Sequence, residues 1–147
     1  MTTGTATLGP VVALVAWTLV MLSWMLVLRS RAMGAAGIRL ARLVGTTGKD
    51  AEALPKAAQW KAHNYNHLHE QPTLFYAVAV VLAVLGAGGG VAAVLAWTYV
   101  GLRIAHSIVQ ATSNRVRPRF QLFLASSGVL AVLTVLAAMA VLGQSVG

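Results

Sequence analysis

The chain has 147 residues, of which 58% are hydrophobic and only 10% charged, and its mean hydropathy is +0.75. A water-soluble domain of this size carries roughly a quarter charged residues, so the composition excludes a soluble globule and requires an integral membrane protein. Cysteine is absent, which excludes disulfides, thiolate zinc sites and cysteine nucleophiles, while a net charge of +8 directs attention to anionic lipid or nucleic acid.

Residues 8–28 form the first predicted span: about 21 residues at 1.5 Å each give roughly 31 Å, against a hydrocarbon core of about 30 Å. No Lys or Arg precedes it, as the basic region of a secretory signal would require, and it ends at Arg29 and Arg31. A basic loop over 29–57 follows. The next apolar run lies between Pro72 and the glycines 86, 88, 89 and 90. At about 13 residues, or roughly 20 Å, it is too short to cross. Backbone polar groups cannot be left unpaired against lipid, so the helix must extend backward over the missing depth. The second span is therefore predicted over 58–85, starting just after Pro55, carrying His63, Asn66, His67 and Glu70 into the membrane and kinking at Pro72. A tight glycine turn leads to a third span over 91–113, and a fourth covers 120–142. The predicted fold class is all-α, a four-helix membrane bundle forming one domain over 1–147.

The charges sort cleanly on this topology. Arg29, Arg31, Arg39, Arg42, Lys49, Lys56 and Lys61 fall on one side of the membrane together with Arg115, Arg117 and Arg119, which is ten of the eleven basic residues. The positive-inside rule makes that side cytoplasmic and puts both termini outside, in what is expected to be a bacterial inner membrane. The eleventh, Arg103, lies about 12 residues or roughly 18 Å from Arg115, and Glu70 lies about 9 residues or roughly 14 Å from Lys61. An ionisable group near midplane costs at least about 2.5 to 3.5 kcal/mol, so the two are expected to pair directly or through a shared ligand.

Helical spacing groups further polar residues. His63, Asn66, His67 and Glu70 stand at i, i+3, i+4 and i+7, and Arg103, His106 and Gln110 at i, i+3 and i+7, with Asn114 continuing that face. Two such stripes at matching depth predict a cleft open to the basic side and rimmed by Arg115, Arg117 and Arg119. It suits a small anion that also carries an ammonium group for Glu70. Polar side chains also serve as glue between membrane helices, the bland reading for Asn66, His67 and Gln110. His63 and His67 have the i, i+4 spacing of metal ligands, with His106 a conceivable third, but no zinc motif surrounds them and no metal is assigned. Trp17, Trp24, Trp60 and Trp97 read as interfacial or packing residues. There is no phosphate-cradling GxxxxGK[ST] run. The basic residues, split by spans and without interleaved aromatics, exclude nucleic acid.

These residues resemble the family of membrane-associated proteins in eicosanoid and glutathione metabolism, which includes the microsomal glutathione transferases. The resemblance spans nearly the whole chain and rests on four spans, the basic loop, and three local patterns. Those are NHLHEQPTLF from Asn66 to Phe75 with its E-x-P, the RxxH of Arg103 and His106, and the RPRF of Arg117 to Phe120. It implies a homotrimer binding glutathione as co-substrate at subunit interfaces near the cytoplasmic face and acting on lipophilic small molecules by conjugation or by reduction of lipid peroxides. On that resemblance Glu70 would hold the glutathione amino group with Asn66 nearby, and Arg103 would meet a carboxylate. His67, His106 and Gln110 would line the site, and Arg119 would stabilise the thiolate catalytically. The chain departs from the family's N-x-x-E, having N-x-x-x-E with His67 at the usual asparagine position, and has Gln110 where the family places a tyrosine. A non-catalytic lipid-binding or scaffolding protein of the same fold is the alternative, and a small proton-coupled transporter a more distant one; four spans without internal repeats speak against transport.

Overall fold

The computed structural model describes residues 3–38, 45 and 54–144. Among these residues the regular structure is all helical: a 3-10 turn at Thr3–Thr5, then α1 Leu8–Ala35, α2 Lys56–His67, α3 Gln71–Val84, α4 Gly90–Ala111 and α5 Val116–Gln144. α1, α4 and α5 are each long and apolar enough to cross a membrane. The remaining leg is shared by α2 and α3, of 12 and 14 residues, so that four legs build the bundle. The protein is an integral membrane helical bundle, and residues such as Val12, Leu19, Val84, Val94, Leu124 and Met139 present apolar side chains outward.

Several boundaries move relative to the predicted spans. α1 continues to Ala35, which puts Arg29 and Arg31 on its last turns rather than in a loop. It stops where Gly37 takes φ +68 and the Ile38 N–H donates to the Met33 carbonyl at 3.0 Å, a left-handed C-terminal cap. Arg39, Arg42 and Lys49 of the basic loop lie outside the described residues. α5 begins at Val116, so Arg117 and Arg119 belong to its first turn.

The second leg departs most. α2 starts at Lys56 directly after Pro55, as expected, but it ends at His67, and α3 begins at Gln71 with Pro72 in its first turn. Pro72 starts a new helix instead of kinking a continuous one. It has no N–H to give the Leu68 carbonyl, and its ring would clash with that carbonyl, so the helical ladder stops here. The intervening residues tighten into a short turn, with His69 N–H donating to Asn66 O at 2.9 Å and the Thr73 hydroxyl to Glu70 O at 2.6 Å.

The core runs through the bundle as Leu14 and Met21 of α1, Phe75 and Leu82 of α3, Tyr99 and Val100 of α4, and Leu133 of α5. The Phe75 and Tyr99 rings stack at 4.4 Å. Ala92 and Ala96, one turn apart on α4, allow close helix approach. At one end of the bundle the Thr7 hydroxyl donates to the Ala79 carbonyl at 2.9 Å, Gly88 N–H to the Gly4 carbonyl at 3.1 Å, and Gln144 to the Leu85 carbonyl at 3.4 Å. The last turns of α1, the start of α2 and the α4–α5 turn make up the other end. There the Lys61 ammonium sits 5.2 Å from the Trp24 ring centre, and the α4–α5 turn and first turn of α5 carry Arg115, Arg117 and Arg119.

Gly88 tests the first of these ends. A Cβ there would collide with the Gly4 carbonyl and lie 2.7 Å from Thr7 Oγ1, whereas one at Gly101, inside α4, would meet nothing within 4 Å. Gly88→Ala is expected to lower the thermal midpoint in detergent. Gly101→Ala is expected to leave it unchanged or raise it, by about 0.5–1 kcal/mol of stability.

Candidate functional site

The buried face of α4 carries Tyr99, Arg103, His106, Ser107 and Gln110. Arg103 has no exposed surface. Its guanidinium spans the break in the second leg: Nη2 donates to the His67 carbonyl at 3.1 Å, at the end of α2, and Nη1 to Gln71 Oε1 at 3.3 Å, at the start of α3. Gln71 also accepts from the Tyr99 hydroxyl at 3.4 Å and gives its own N–H to Ser127 of α5 at 2.6 Å. Ser126 lies 3.4 Å from the same Gln71 oxygen, but its single proton has a shorter acceptor, the Phe123 carbonyl at 2.9 Å. The guanidinium thus adds a shorter, charge-assisted bond to a carbonyl at the end of α2 whose backbone partner is the Glu70 N–H at 3.4 Å.

Beside this clamp, at the basic end, is a cavity of about 310 Å³ lined by His67, His106, Gln110, Val116, Arg119, Phe120 and Phe123. Arg119 is brought to it by the α4–α5 turn. Asn114 takes φ +47, a left-handed position that asparagine tolerates, with its N–H on the Val109 carbonyl at 2.7 Å. Its side-chain oxygen accepts Arg119 Nη1 at 2.6 Å. His106 Nε2 donates to Gln110 Oε1 at 3.2 Å. The His67 and His106 rings lie 5.0 Å apart, with Phe123 against both.

Four of the residues singled out from the sequence, His67, His106, Gln110 and Arg119, therefore share one cavity. Glu70 adjoins it: its carboxylate accepts His67 Nδ1–H at 2.6 Å while the side chain is 64% exposed. The expected direct pairing of Glu70 with Arg103 does not form. Glu70 falls in the break and turns back to His67, and the next residue, Gln71, takes the inward direction and the guanidinium.

Asn66 is exposed, and the buried asparagine is Asn64. Its Nδ2 donates to Ser107 Oγ at 2.8 Å, a hydroxyl that also accepts Trp17 Nε1 at 3.0 Å. The inward face of α2 is Ala58, Lys61 and Asn64, continued by Leu68. A predicted face of His63, Asn66, His67 and Glu70 is rotated away from it, with only His67 shared by cavity and stripe. Spacing alone could have found Asn64, since 61, 64 and 68 also lie on one helical face; the denser polar stripe drew attention from it. Three buried polar atoms at the α2–α4 seam, Asn64 Oδ1, Arg103 Nε and His106 Nδ1, have no hydrogen-bond partner. No cluster of three metal-ligating side chains occurs among the described residues.

A four-leg membrane bundle with an arginine buried across a broken second leg and a basic, aromatic-walled cavity at one end defines the class of protein. The chain belongs to the MAPEG family, whose model matches residues 7–139, nearly its full length. No curated protein and no solved structure gives a significant match.

Arg103 should be irreplaceable as a clamp. Arg103→Ala takes the guanidinium from the His67 carbonyl and Gln71, leaving each only a 3.4 Å bond, from Glu70 N–H and the Tyr99 hydroxyl respectively, and opens a void; it is expected to cost about 2–5 kcal/mol, read as a lower thermal midpoint. Arg103→Lys should rescue only part of this, since one ammonium cannot replace a planar fork aimed at two acceptors.

Proposed function

We propose that the chain is a glutathione-dependent membrane enzyme that works as a homotrimer and joins the glutathione thiol to lipophilic electrophiles or uses it to reduce lipid peroxides. The observation that carries this reading is the Arg119 guanidinium held at a cavity that Val116, Phe120 and Phe123 of the same α5 face also line. A cation beside a thiol favours its charged form and so raises the fraction of nucleophile at neutral pH. The aromatic wall offers an apolar bed for the second substrate. In conjugation the thiolate sulfur forms a bond to the electrophilic carbon as the leaving group departs with its electron pair. Asn66, His67, Glu70, His106 and Gln110 supply polar contacts to the tripeptide, with the Glu70 oxygen not engaged by His67 free for its ammonium.

The trimer is supported by what the single chain leaves bare. His63, Asn66 and Glu70 are exposed on the leg that enters the membrane, and polar groups at that depth face protein or a wet cavity rather than lipid. The basic end is assigned to the cytoplasm by the positive-inside rule, with both termini outside.

A second reading, a non-catalytic lipid-binding protein of the same fold, has one specific observation behind it. Arg103 is fully buried and committed to Gln71 and the His67 carbonyl, so a glutathione carboxylate would have to displace Gln71 to reach it.

Two measurements separate these. Glutathione should raise the melting temperature of the detergent-solubilised wild type, because a ligand bound only by the folded state must stabilise it, and Glu70→Gln should reduce that shift. Arg119→Ala should remove the thiolate ultraviolet absorbance of bound glutathione and lower turnover of an aryl-halide electrophile by about 10²-fold or more, with Arg119→Lys intermediate. An apolar ligand bound equally by wild type and Arg119→Ala, with no glutathione effect, would establish the second reading instead.

A further inference from the structure

His67 stands where the family resemblance leads one to expect asparagine, and its surroundings equip it for chemistry that an amide cannot perform. Its Nδ1 is 2.6 Å from Glu70 Oε2. An ionised carboxylate is only an acceptor, so the proton on this bond belongs to the imidazole, and the other nitrogen, Nε2, is left with its lone pair. Among the described residues Nε2 has no hydrogen-bond partner, while the ring itself forms part of the cavity wall that also holds Arg119. The ring is kept in place by the His106 and Phe123 rings, at 5.0 and 5.9 Å, and by Arg103, which grips the His67 carbonyl. This is the arrangement in which a carboxylate fixes the tautomer and orientation of a histidine base and stabilises the imidazolium it becomes.

We infer that the His67–Glu70 pair is the proton acceptor of this cavity, taking the proton of a thiol as Arg119 receives the thiolate. The inference rests on the glutathione reading above and deepens it, dividing thiol activation between a base and a cation. In the step, the S–H bond breaks, its electron pair stays on sulfur, and the proton forms a bond to His67 Nε2, giving an imidazolium held by Glu70. When the electrophile is an aryl or alkyl halide, halide leaves with its electron pair and the imidazolium returns its proton to water. When it is an activated alkene, the proton ends on the carbon next to the activating group. The charged and titratable groups facing the ring are Glu70 from the turn after α2, Arg103 and His106 from α4, and Arg119 from α5. Glu70 is the carboxylate placed to balance the imidazolium. His106 is less suited to the role, being nearly fully buried with Nε2 engaged by Gln110.

The test uses the full-length protein in detergent or nanodiscs with glutathione as the probe. Turnover of the wild type should rise with pH as His67 loses its proton and then level off. His67→Gln, which keeps an amide near Glu70, should lose that limb of the profile and about 10²-fold in kcat at the lower end, with a much smaller change in glutathione affinity by calorimetry. Glu70→Asp should recover part of the rate that Glu70→Gln loses. Nitrogen-15 spectra of histidine-labelled protein should place the neutral His67 proton on Nδ1, and Glu70→Gln should shift that tautomer balance. Bound glutathione with an unchanged pH profile in His67→Gln, or a neutral His67 protonated on Nε2 in the wild type, would overturn the base while leaving the glutathione reading intact. Failure of the wild type to bind glutathione at all would remove both.

Discussion

A guanidinium laid across a break in a membrane helix is the interaction on which the rest of the structure depends. Helix breaks expose backbone carbonyls, and in hydrocarbon nothing but protein can satisfy them. Here proline at 72 forces the break and Arg103, one helix away, answers it by joining the last carbonyl of α2 to the first side chain of α3. Gln71 passes the connection on to α4 and α5 through Tyr99 and Ser127. An intramembrane charge that would otherwise be costly is thereby turned into a tie between three legs of the bundle.

The clamp also determines where the cavity residues stand. Its grip on the His67 carbonyl holds the end of α2 against α4, so the His67 ring meets His106 and Phe123 at the cavity, and Glu70, released from helical geometry by the break, can swing back to His67. The far wall is built by a different device, the left-handed Asn114 whose side chain carries Arg119. Two irregular stretches of backbone, each capped by an arginine contact, bring together residues far apart in sequence. The regular helices supply the scaffold, and the chemistry collects where regularity fails.

Much of this was legible in the sequence because membranes impose simple rules. Length, apolarity and charge placement are enough to delineate α1, α4 and α5, and the shortfall of the run after Pro72 is enough to require a helix reaching back to Lys56. The polar face of α4 followed from spacing, since a helix buried along one face repeats at three and four residues. What spacing could not supply was the break. Treated as one continuous helix, residues 58–85 put Glu70 on an inward face, whereas the interruption at Leu68–Glu70 turns Glu70 outward and sets Gln71 on Arg103; the exposure of Asn66 follows instead from the phase of α2, whose inward face carries Asn64. A proline marks a discontinuity in sequence; whether the chain bends or restarts depends on tertiary contacts at the break. Here one comes from a different helix, more than thirty residues away, with Arg103 on the His67 carbonyl.

The absence of native cysteine makes the central claim open to a direct distance measurement. Spin labels on cysteines introduced at Ala57 and Val84, both exposed near the outer ends of α2 and α3, report the angle of the break by pulsed electron paramagnetic resonance. Diluting the labelled protein with unlabelled chains removes distances between subunits. The wild type should give one narrow distance, and Arg103→Ala a broadened or shifted one as the two helices lose their common anchor. An unchanged narrow distance in that variant would show that the break is held by something other than the guanidinium, and would contradict the account.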